Sequence, residues 1–152
     1  MDTTKHNSAV MKISIASDHA GYKYKQIIIK YLIEKGFVII DHGTFSSDSV
    51  DYPDFIKLAA KDVSEHTSDL GIGVCGSGIG VSIVANKFKD VRAALVVDEE
   101  MAELSRRHNN ANFLALGERL LNEKNIYKIL DIWLNTEFEG GRHERRVKKI
   151  ED

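Results

Sequence analysis

One stretch near the middle of the chain, residues 70–80 with the sequence LGIGVCGSGIG, constrains the fold more than any other. An apolar strand pattern ends at Cys75, and three alternating glycines follow at once: Gly76, Gly78 and Gly80. Because glycine tolerates positive φ, we expect the amides of this turn to converge and form an anion-binding nest. Helical spacing over residues 81–88 adds the free N–H groups and positive dipole end of a helix. The stretch predicts a strand-end thiol beside an anion hole, which suits proton abstraction while charge develops on a neighbouring oxygen.

The rest of the chain alternates between strand and helix patterns. Buried strands are predicted at residues 11–16, 37–40, 70–75, 91–97 and 113–116. Helices are predicted at residues 22–35, 54–65, 81–88, 98–107 and 122–134, followed by a basic terminal helix. Asp54 and Asp98 are candidate N-caps, and Gly36 is a candidate C-cap. This alternation predicts an α/β fold with a five-stranded parallel sheet covered by helices on both faces.

Ligands of such sheets bind beyond the carboxyl ends of the strands. Asp18, Cys75 and the segment after Val97 are expected to open on that edge. A lone cysteine such as Cys75 is more often a small buried hydrophobic residue than a catalyst. Its position at a strand end beside convergent amides favours thiolate character, which makes a role in chemistry as well supported as a place in the core.

The composition indicates one domain and limits the kinds of partner. With 152 residues, 43% of them hydrophobic, the chain can build a full core, which we place at residues 11–152 after a flexible tail of residues 1–10. A net charge of −2 does not favour nucleic acid or a membrane surface as partner. A single cysteine and the lack of a signal-peptide pattern or transmembrane-length apolar run indicate a cytoplasmic protein.

Two histidines and three arginines are candidates for function. His19 follows Asp18 at a strand end, whereas His108 closes a predicted helix, where acid–base chemistry and interaction with the helix dipole are both consistent with its position. Arg142 and Arg146 lie four residues apart, on one face of the terminal helix, with the spacing of a phosphate clamp. Arg119 is a third candidate cation. A solvated basic helix is the alternative interpretation of the terminal segment.

The glycine turn does not match the common nucleotide-binding motifs. The sequence GSGIGV at residues 76–81 departs from G-x-G-x-x-G, and Lys87 lies too far along the chain for a phosphate-loop lysine. No histidine and carboxylate set shows metal-ligand spacing, so no metal is expected. The basic terminal segment lacks an aromatic stacking motif for RNA. The expected anion is therefore smaller than a nucleotide.

Seven ordered motifs closely resemble those of the type B ribose-5-phosphate isomerases: SDHAG at 17–21, DYPD at 51–54, CGSGIG at 75–80, ANK at 85–87, RHN at 107–109, GER at 117–119 and EGGRH at 139–143. The resemblance extends from residue 11 to about residue 150. It implies a Rossmann-like three-layer α/β/α sandwich and a cofactor-free aldose–ketose isomerase that interconverts D-ribose 5-phosphate and D-ribulose 5-phosphate in the pentose phosphate pathway. It also implies a homodimer, or a tetramer, with active sites between subunits.

The same resemblance implies a role for each matched residue. Cys75 corresponds to the proton-abstracting base and His108 to the acid that opens the sugar ring, a step in which Ser77 takes part in some members. The amides of Gly76, Gly78, Ile79 and Gly80 correspond to the enediolate site. The remaining matched positions are contacts to sugar and phosphate: Asp18, His19, Asn109, Arg119, Arg142 and Arg146.

Two other functions stay open on the sequence alone. The family that the chain resembles also contains galactose-6-phosphate isomerase subunits and members acting on allose 6-phosphate, so a hexose phosphate is an alternative substrate. A non-catalytic module that senses a sugar phosphate would use the same glycine turn and the same arginines. Turnover of a pentose phosphate by the single chain would distinguish the first function from both alternatives.

Overall fold

Five parallel strands form one sheet in a computed structural model that describes residues 10–152. Most of the predicted tail, residues 1–9, lies outside the described residues. The strands are β1 (Lys12–Ser17), β2 (Val38–Asp41), β3 (Leu70–Cys75), β4 (Ala93–Leu95) and β5 (Phe113–Gly117). Their order across the sheet is β2-β1-β3-β5-β4. The predicted α/β fold with a five-stranded parallel sheet is confirmed.

Six α-helices cover the sheet in this part of the chain: α1 (Tyr22–Glu34), α2 (Tyr52–Ser64), α3 (Ile79–Ala85), α4 (Glu99–Arg107), α5 (Glu123–Asn135) and α6 (Arg142–Glu151). A short 3₁₀ helix, His19–Gly21, precedes α1. Asp98 caps α4 as predicted, since its side chain accepts a hydrogen bond from the Met101 N–H. Gly36 adopts the predicted positive φ, 93°, after α1.

The predicted cap of α2 was wrong. The helix starts at Tyr52 with Asp51 at the N-cap position, so Asp54 lies in its first turn. Pro53 explains the difference, because its fixed φ and missing N–H suit the first turn of a helix. Two other elements differ by more than one residue at their ends: β4 is shorter than the predicted residues 91–97, and α3 starts two residues earlier than predicted and ends at Ala85.

Strand β3 separates two hydrophobic cores. Leu70, Ile72 and Val74 belong to the core that includes Trp133 of α5. The opposite face of β3 carries Gly71, Gly73 and Cys75, and only the last has a side chain to contribute. Other side chains fill the glycine positions: a Cβ at Gly71 would lie 2.4 Å from the Phe113 ring, and one at Gly73 would lie 2.5 Å from Val81 Cγ1 of α3. The missing side chains therefore make room for Phe113 at Gly71 and allow α3 to pack closely against β3 at Gly73.

Chain direction decides which edge of the sheet each functional residue occupies. Helix α4 starts at the carboxyl end of β4 and returns to the amino end of β5, since these strands are parallel. Its nine residues span about 14 Å at 1.5 Å per residue. Its last residues therefore lie at the amino edge of the sheet, and α5 delivers the start of α6 to that same edge. Cys75 lies at the carboxyl edge.

The cap of α5 offers a test of the fold. The Asn122 side chain accepts a hydrogen bond from the Asn125 N–H at 2.8 Å, and the Asn125 side chain accepts one from the Asn122 N–H at 3.3 Å. We expect Asn122→Ala to lower the free energy of unfolding by about 1 kcal/mol in urea denaturation. Asn122→Asp retains an acceptor oxygen and serves as the control, with a smaller loss. Equal stability of Asn122→Ala and the parent chain would contradict this capping arrangement.

Candidate active site

A cleft of about 450 Å³ opens at the carboxyl ends of β1 and β3. From β1 the chain continues to one side of the sheet, while β3 leads to the other, so the cleft lies at the switch point where α/β sheets bind ligands. Eight of the predicted site residues line it: Asp18, His19, Cys75, Gly76, Ser77, Ile79, Gly80 and Arg119. The structure therefore has a cleft at the edge of the sheet where the site was predicted.

The glycine turn directs a backbone donor at the sulfur of Cys75. Cys75 is 5% exposed at the end of β3, and the Gly78 N–H donates to its Sγ at 3.1 Å. Gly78 has a φ of 79°, which favours glycine, whereas Gly76 and Gly80 do not have the positive φ that the sequence suggested. An N–H aimed at sulfur stabilises negative charge there. One amide of the expected nest therefore serves the thiol itself.

The absence of a side chain at Gly76 makes room for Arg119. A Cβ at Gly76 would lie 2.9 Å from Arg119 Nη1, so the guanidinium lies across the Gly76 backbone. The Arg119 N–H also donates to the Gly76 carbonyl at 3.0 Å. These contacts hold a positive charge next to Cys75, inside the cleft.

His19 is held in one tautomer by the backbone. The Val50 N–H donates to His19 Nδ1 at 3.1 Å, so Nδ1 is an acceptor and the proton of the neutral ring lies on Nε2. Asp18 is buried, and its Oδ1 accepts a hydrogen bond from the Gly21 N–H at 3.1 Å. His19 is consequently available to the cleft as a hydrogen-bond donor.

Tyr52 also lines the cleft, although the sequence analysis did not select it. Its ring packs on Gly80, where an added Cβ would lie 2.6 Å from the ring carbons. The motif DYPD contains this residue, and its place at the first position of α2 sets it beside the glycine turn. The available signal was the motif alone, since the contact with Gly80 depends on how α2 packs against α3.

A second cluster forms at the amino edge of the sheet from His108, Glu139 and His143. The two imidazole rings are stacked, with centroids 4.2 Å apart and planes inclined by 11°. Glu139 lies near both, 3.9 Å from His108 Nε2 and 3.7 Å from His143 Nε2. Burial, the His108 ring and the Arg142 guanidinium lower the pKa of His143 below its ordinary value of 6.5.

This cluster has one donor atom from each residue within 4.8 Å of the others, a proximity that sequence spacing did not suggest. Two features do not suit a metal centre. Nearly parallel stacked rings hold their nitrogen lone pairs in two parallel planes, and Glu139 already binds the Arg107 guanidinium at 2.9 Å. The set fits a cluster of stacked rings beside a carboxylate better than an ion site.

The other predicted site residues lie outside the Cys75 cleft. His108 lies at the amino edge, and Asn109 lines a separate cleft of about 650 Å³ beside β4. Arg142 and Arg146 are exposed on α6. Within one chain, therefore, the thiol and the histidine that the sequence resemblance assigns to one active site lie at opposite edges of the sheet.

The relatives found by sequence comparison are sugar phosphate isomerases. The family model described as Ribose/Galactose Isomerase matches residues 13–150. Ribose-5-phosphate isomerase B of Escherichia coli is 42% identical over 139 residues, which is 91% of this chain and 93% of that protein. A putative sugar phosphate isomerase of Rickettsia bellii is 46% identical over 139 residues, covering 91% of this chain and 96% of that one.

Solved structures agree with the sequence relatives. Ribose-5-phosphate isomerase B of Clostridium thermocellum superposes with a TM-score of 0.91 at 49% identity, covering 93% of this chain and 95% of that one. The Mycoplasma genitalium enzyme with bound ribulose-5-phosphate gives a TM-score of 0.89 at 48% identity, covering 92% and 93% of the two chains. Within residues 10–152, no helix combines the length and apolar character needed to cross a bilayer.

The tautomer of His19 can be measured directly. In a long-range ¹H–¹⁵N spectrum above the titration range of the ring, we expect the pattern of an Nε2-protonated imidazole, because the Val50 N–H occupies Nδ1. His19→Gln identifies the signals by their disappearance, and Val50→Ala is a control that keeps the backbone donor. An Nδ1-protonated pattern in the parent chain would contradict the hydrogen bond.

Proposed function

The chain belongs to the ribose/galactose isomerase family, and on that basis we propose that it interconverts D-ribose 5-phosphate and D-ribulose 5-phosphate. The observation that carries this proposal is the strand-end thiol of Cys75, which receives the Gly78 N–H and lies beside Arg119 in a cleft. The related Mycoplasma genitalium structure with bound ribulose-5-phosphate supports a pentose phosphate as substrate.

Phosphate binding is assigned to the cations and donors around the cleft. Arg119 and the Nε2–H of His19 contribute from one chain, whereas Arg142 and Arg146 contribute from a second copy. Guanidinium groups suit this task because their planar donors match phosphate oxygens in pairs. Binding of the phosphate group, which is distant from the reaction centre, positions the carbons that react.

The proton transfer is assigned to Cys75. Its thiolate removes the proton from carbon 2 of the open aldose, which the neighbouring aldehyde makes acidic. Negative charge develops on oxygen 1, where the remaining amides of residues 76–80 act as donors. The proton returns at carbon 1 and the hydroxyl proton passes from oxygen 2 to oxygen 1. The oxidation and reduction are internal to the sugar, so the overall reaction consumes no redox cofactor.

Ring opening must precede this step for ribose 5-phosphate, which is a cyclic furanose. We assign the donation of a proton to the ring oxygen to His108, with Ser77 sharing the step. Asp18 and Asn109 are assigned to the sugar hydroxyls. A histidine suits proton transfer of this kind because its pKa lies near neutral pH.

The positions of Cys75 and His108 at opposite edges of the sheet support a homodimer with shared active sites. Each cleft then receives His108, Asn109, Arg142 and Arg146 from the second copy, and a two-fold axis makes both sites equivalent. Exposed apolar side chains on and near α3 and α4 offer a surface for this contact: Ile79, Ile83, Val97, Met101 and Leu104. A tetramer would be an assembly of such dimers.

Three further assignments complete the proposal. Residues 11–152 form one sugar-phosphate isomerase domain that ends in a basic helix. The reaction belongs to the pentose phosphate pathway. The cytoplasm is the location, which the single cysteine supports.

Turnover and proton exchange test the two chemical roles separately. The parent chain is expected to convert ribose 5-phosphate in the presence of a chelator. Cys75→Ala should lower kcat by roughly two to four powers of ten with little change in KM, and it should also stop solvent deuterium from entering carbon 1 of ribulose 5-phosphate. His108→Ala should lose turnover of the cyclic aldose yet retain this exchange, because ribulose 5-phosphate has no ring to open.

The matched control is Cys75→Ser, which preserves size but provides a much weaker base. Exchange by Cys75→Ala at the parental rate would remove Cys75 from the mechanism. Absence of any conversion by the parent chain would redirect the search to hexose 6-phosphates. Tight binding without turnover of either substrate would favour the sensing module.

Mixed dimers test whether the active sites are shared between copies. Cys75→Ala and His108→Ala chains are each nearly inactive alone, but a mixed dimer contains one site with both residues intact. After unfolding and refolding together in equal amounts, random pairing should restore roughly a quarter of the parental activity.

A mixture of Cys75→Ala with Arg119→Ala is the control, because both changes then lie in the cleft of their own chain and each site of the mixed dimer carries one of them. This mixture should show no recovery. A failure of the first mixture to recover, with mixed dimers present by mass spectrometry, would contradict shared sites.

A further inference from the structure

His143 has no role in the mechanism above, although it lies between residues that do. It is 7% exposed, it follows Arg142 in the first turn of α6, and it does not line the Cys75 cleft. Its Nε2 is buried without a hydrogen-bond partner among the described residues. Buried polar atoms in folded proteins are nearly always paired, so this imidazole needs an explanation beyond filling space.

His108 is held only weakly by its own helix. His108 is the C-cap residue of α4, and its backbone N–H donates to the Leu104 carbonyl at 2.9 Å. The chain then turns away through Asn110, which has a φ of 49°. The His108 side chain is 36% exposed. It stacks on the His143 ring, and its Nε2 lies 3.9 Å from the Glu139 carboxylate. Its orientation therefore depends on residues outside α4.

The segment that carries His143 is fixed to the end of α4 by two contacts with Arg107. The Glu139 N–H donates to the Arg107 carbonyl at 3.0 Å, and Arg107 Nη2 donates to Glu139 Oε2 at 2.9 Å. The His143 N–H in turn donates to the Gly140 carbonyl at 3.1 Å. These hydrogen bonds fix the position of the His143 ring relative to the end of α4, where His108 lies.

We propose that His143 is a positioning residue for His108: its buried ring, stacked face to face at 4.2 Å, holds the His108 imidazole in the orientation that proton transfer to the sugar ring requires. The inference rests on the proposed function, in which His108 opens that ring. A flat aromatic face is the property that His143 supplies, and stacking restricts both rotation and tilt of the partner ring.

Electrostatics also supports a positioning role for His143 and proton transfer by His108. Two protonated rings at this distance would repel each other. The charged groups that face His143 are His108, Glu139, Arg142 and Arg146. Burial and the positive neighbours lower the pKa of His143, whereas Glu139 opposes them. His143 is therefore suited to remain the neutral member of the pair.

The test compares His143→Leu, which removes the flat ring, with His143→Phe, which retains it without the nitrogens. On cyclic ribose 5-phosphate, His143→Leu should lower kcat by on the order of 10- to 100-fold with KM within about threefold, as misplacement of a reacting group does. His143→Phe should restore kcat to within about threefold of the parent chain. Solvent exchange at carbon 1 of ribulose 5-phosphate should stay unchanged in both variants.

A spectroscopic measurement tests the stack without relying on activity. In the parent chain the Cε1–H resonance of His108 should be shifted upfield by the His143 ring current, and His143→Leu should abolish that shift. This experiment also covers the case in which the larger Phe side chain fails to fit, because it needs only the parent chain and the Leu variant.

Four results would overturn the positioning role. The first three are parental kcat in His143→Leu, equal losses in the Leu and Phe variants, and a rise in KM with kcat unchanged, which would identify a substrate contact instead. Loss of exchange together with turnover in a folded His143→Leu would also contradict it. Failure of the proposed function is distinguishable, because the parent chain itself would then lack both turnover and exchange.

Discussion

The pairing between β3 and β5 continues past the ends of both strands, and the arrangement of the cleft depends on it. The Glu118 N–H donates to the Cys75 carbonyl at 2.9 Å, and the Arg119 N–H donates to the Gly76 carbonyl at 3.0 Å. The Glu118 carboxylate also accepts a hydrogen bond from the Tyr24 N–H at the start of α1. The thiol, the glycine turn and the cation are consequently parts of one hydrogen-bonded frame.

The two edges of the sheet provide different environments for proton chemistry. At the carboxyl edge, the Gly78 N–H donates to the Cys75 sulfur, and the Arg119 guanidinium lies over the neighbouring Gly76. At the amino edge, two stacked imidazoles lie near Glu139, and burial together with the positive neighbours lowers the pKa of His143. The two environments belong to separate parts of the chain, and the proposed dimer brings them together.

Local signals in the sequence predicted the features that depend on neighbouring residues. The end of β3 at Cys75, the Asp98 cap and the positive φ of Gly36 follow from local patterns, and all were confirmed. The Asp54 cap was wrong because Pro53 starts the helix earlier. The seven ordered motifs were sufficient to recognise the family.

Features that depend on packing between distant segments were not predictable in this way. The Val50 N–H on His19, the Tyr52 ring on Gly80 and the stack of His108 on His143 each join parts of the chain that no pattern relates. Residue spacing also did not reveal that His108 and Cys75 lie at opposite edges, since that follows from tracing the return direction of α4. The roles assigned to these residues stay predictions.

Gly73, in the middle of β3, links the packing of the core to the surroundings of the Cys75 thiol. Because nothing projects from Gly73 toward Val81, helix α3 rests directly on the strand, and the turn leading into it places the Gly78 amide 3.1 Å from sulfur. A side chain at residue 73 would push the helix outward and carry that amide with it. Changes deep in the core would then alter the surroundings of the thiol in a protein that is otherwise folded, so core packing and the environment of Cys75 are coupled in this chain.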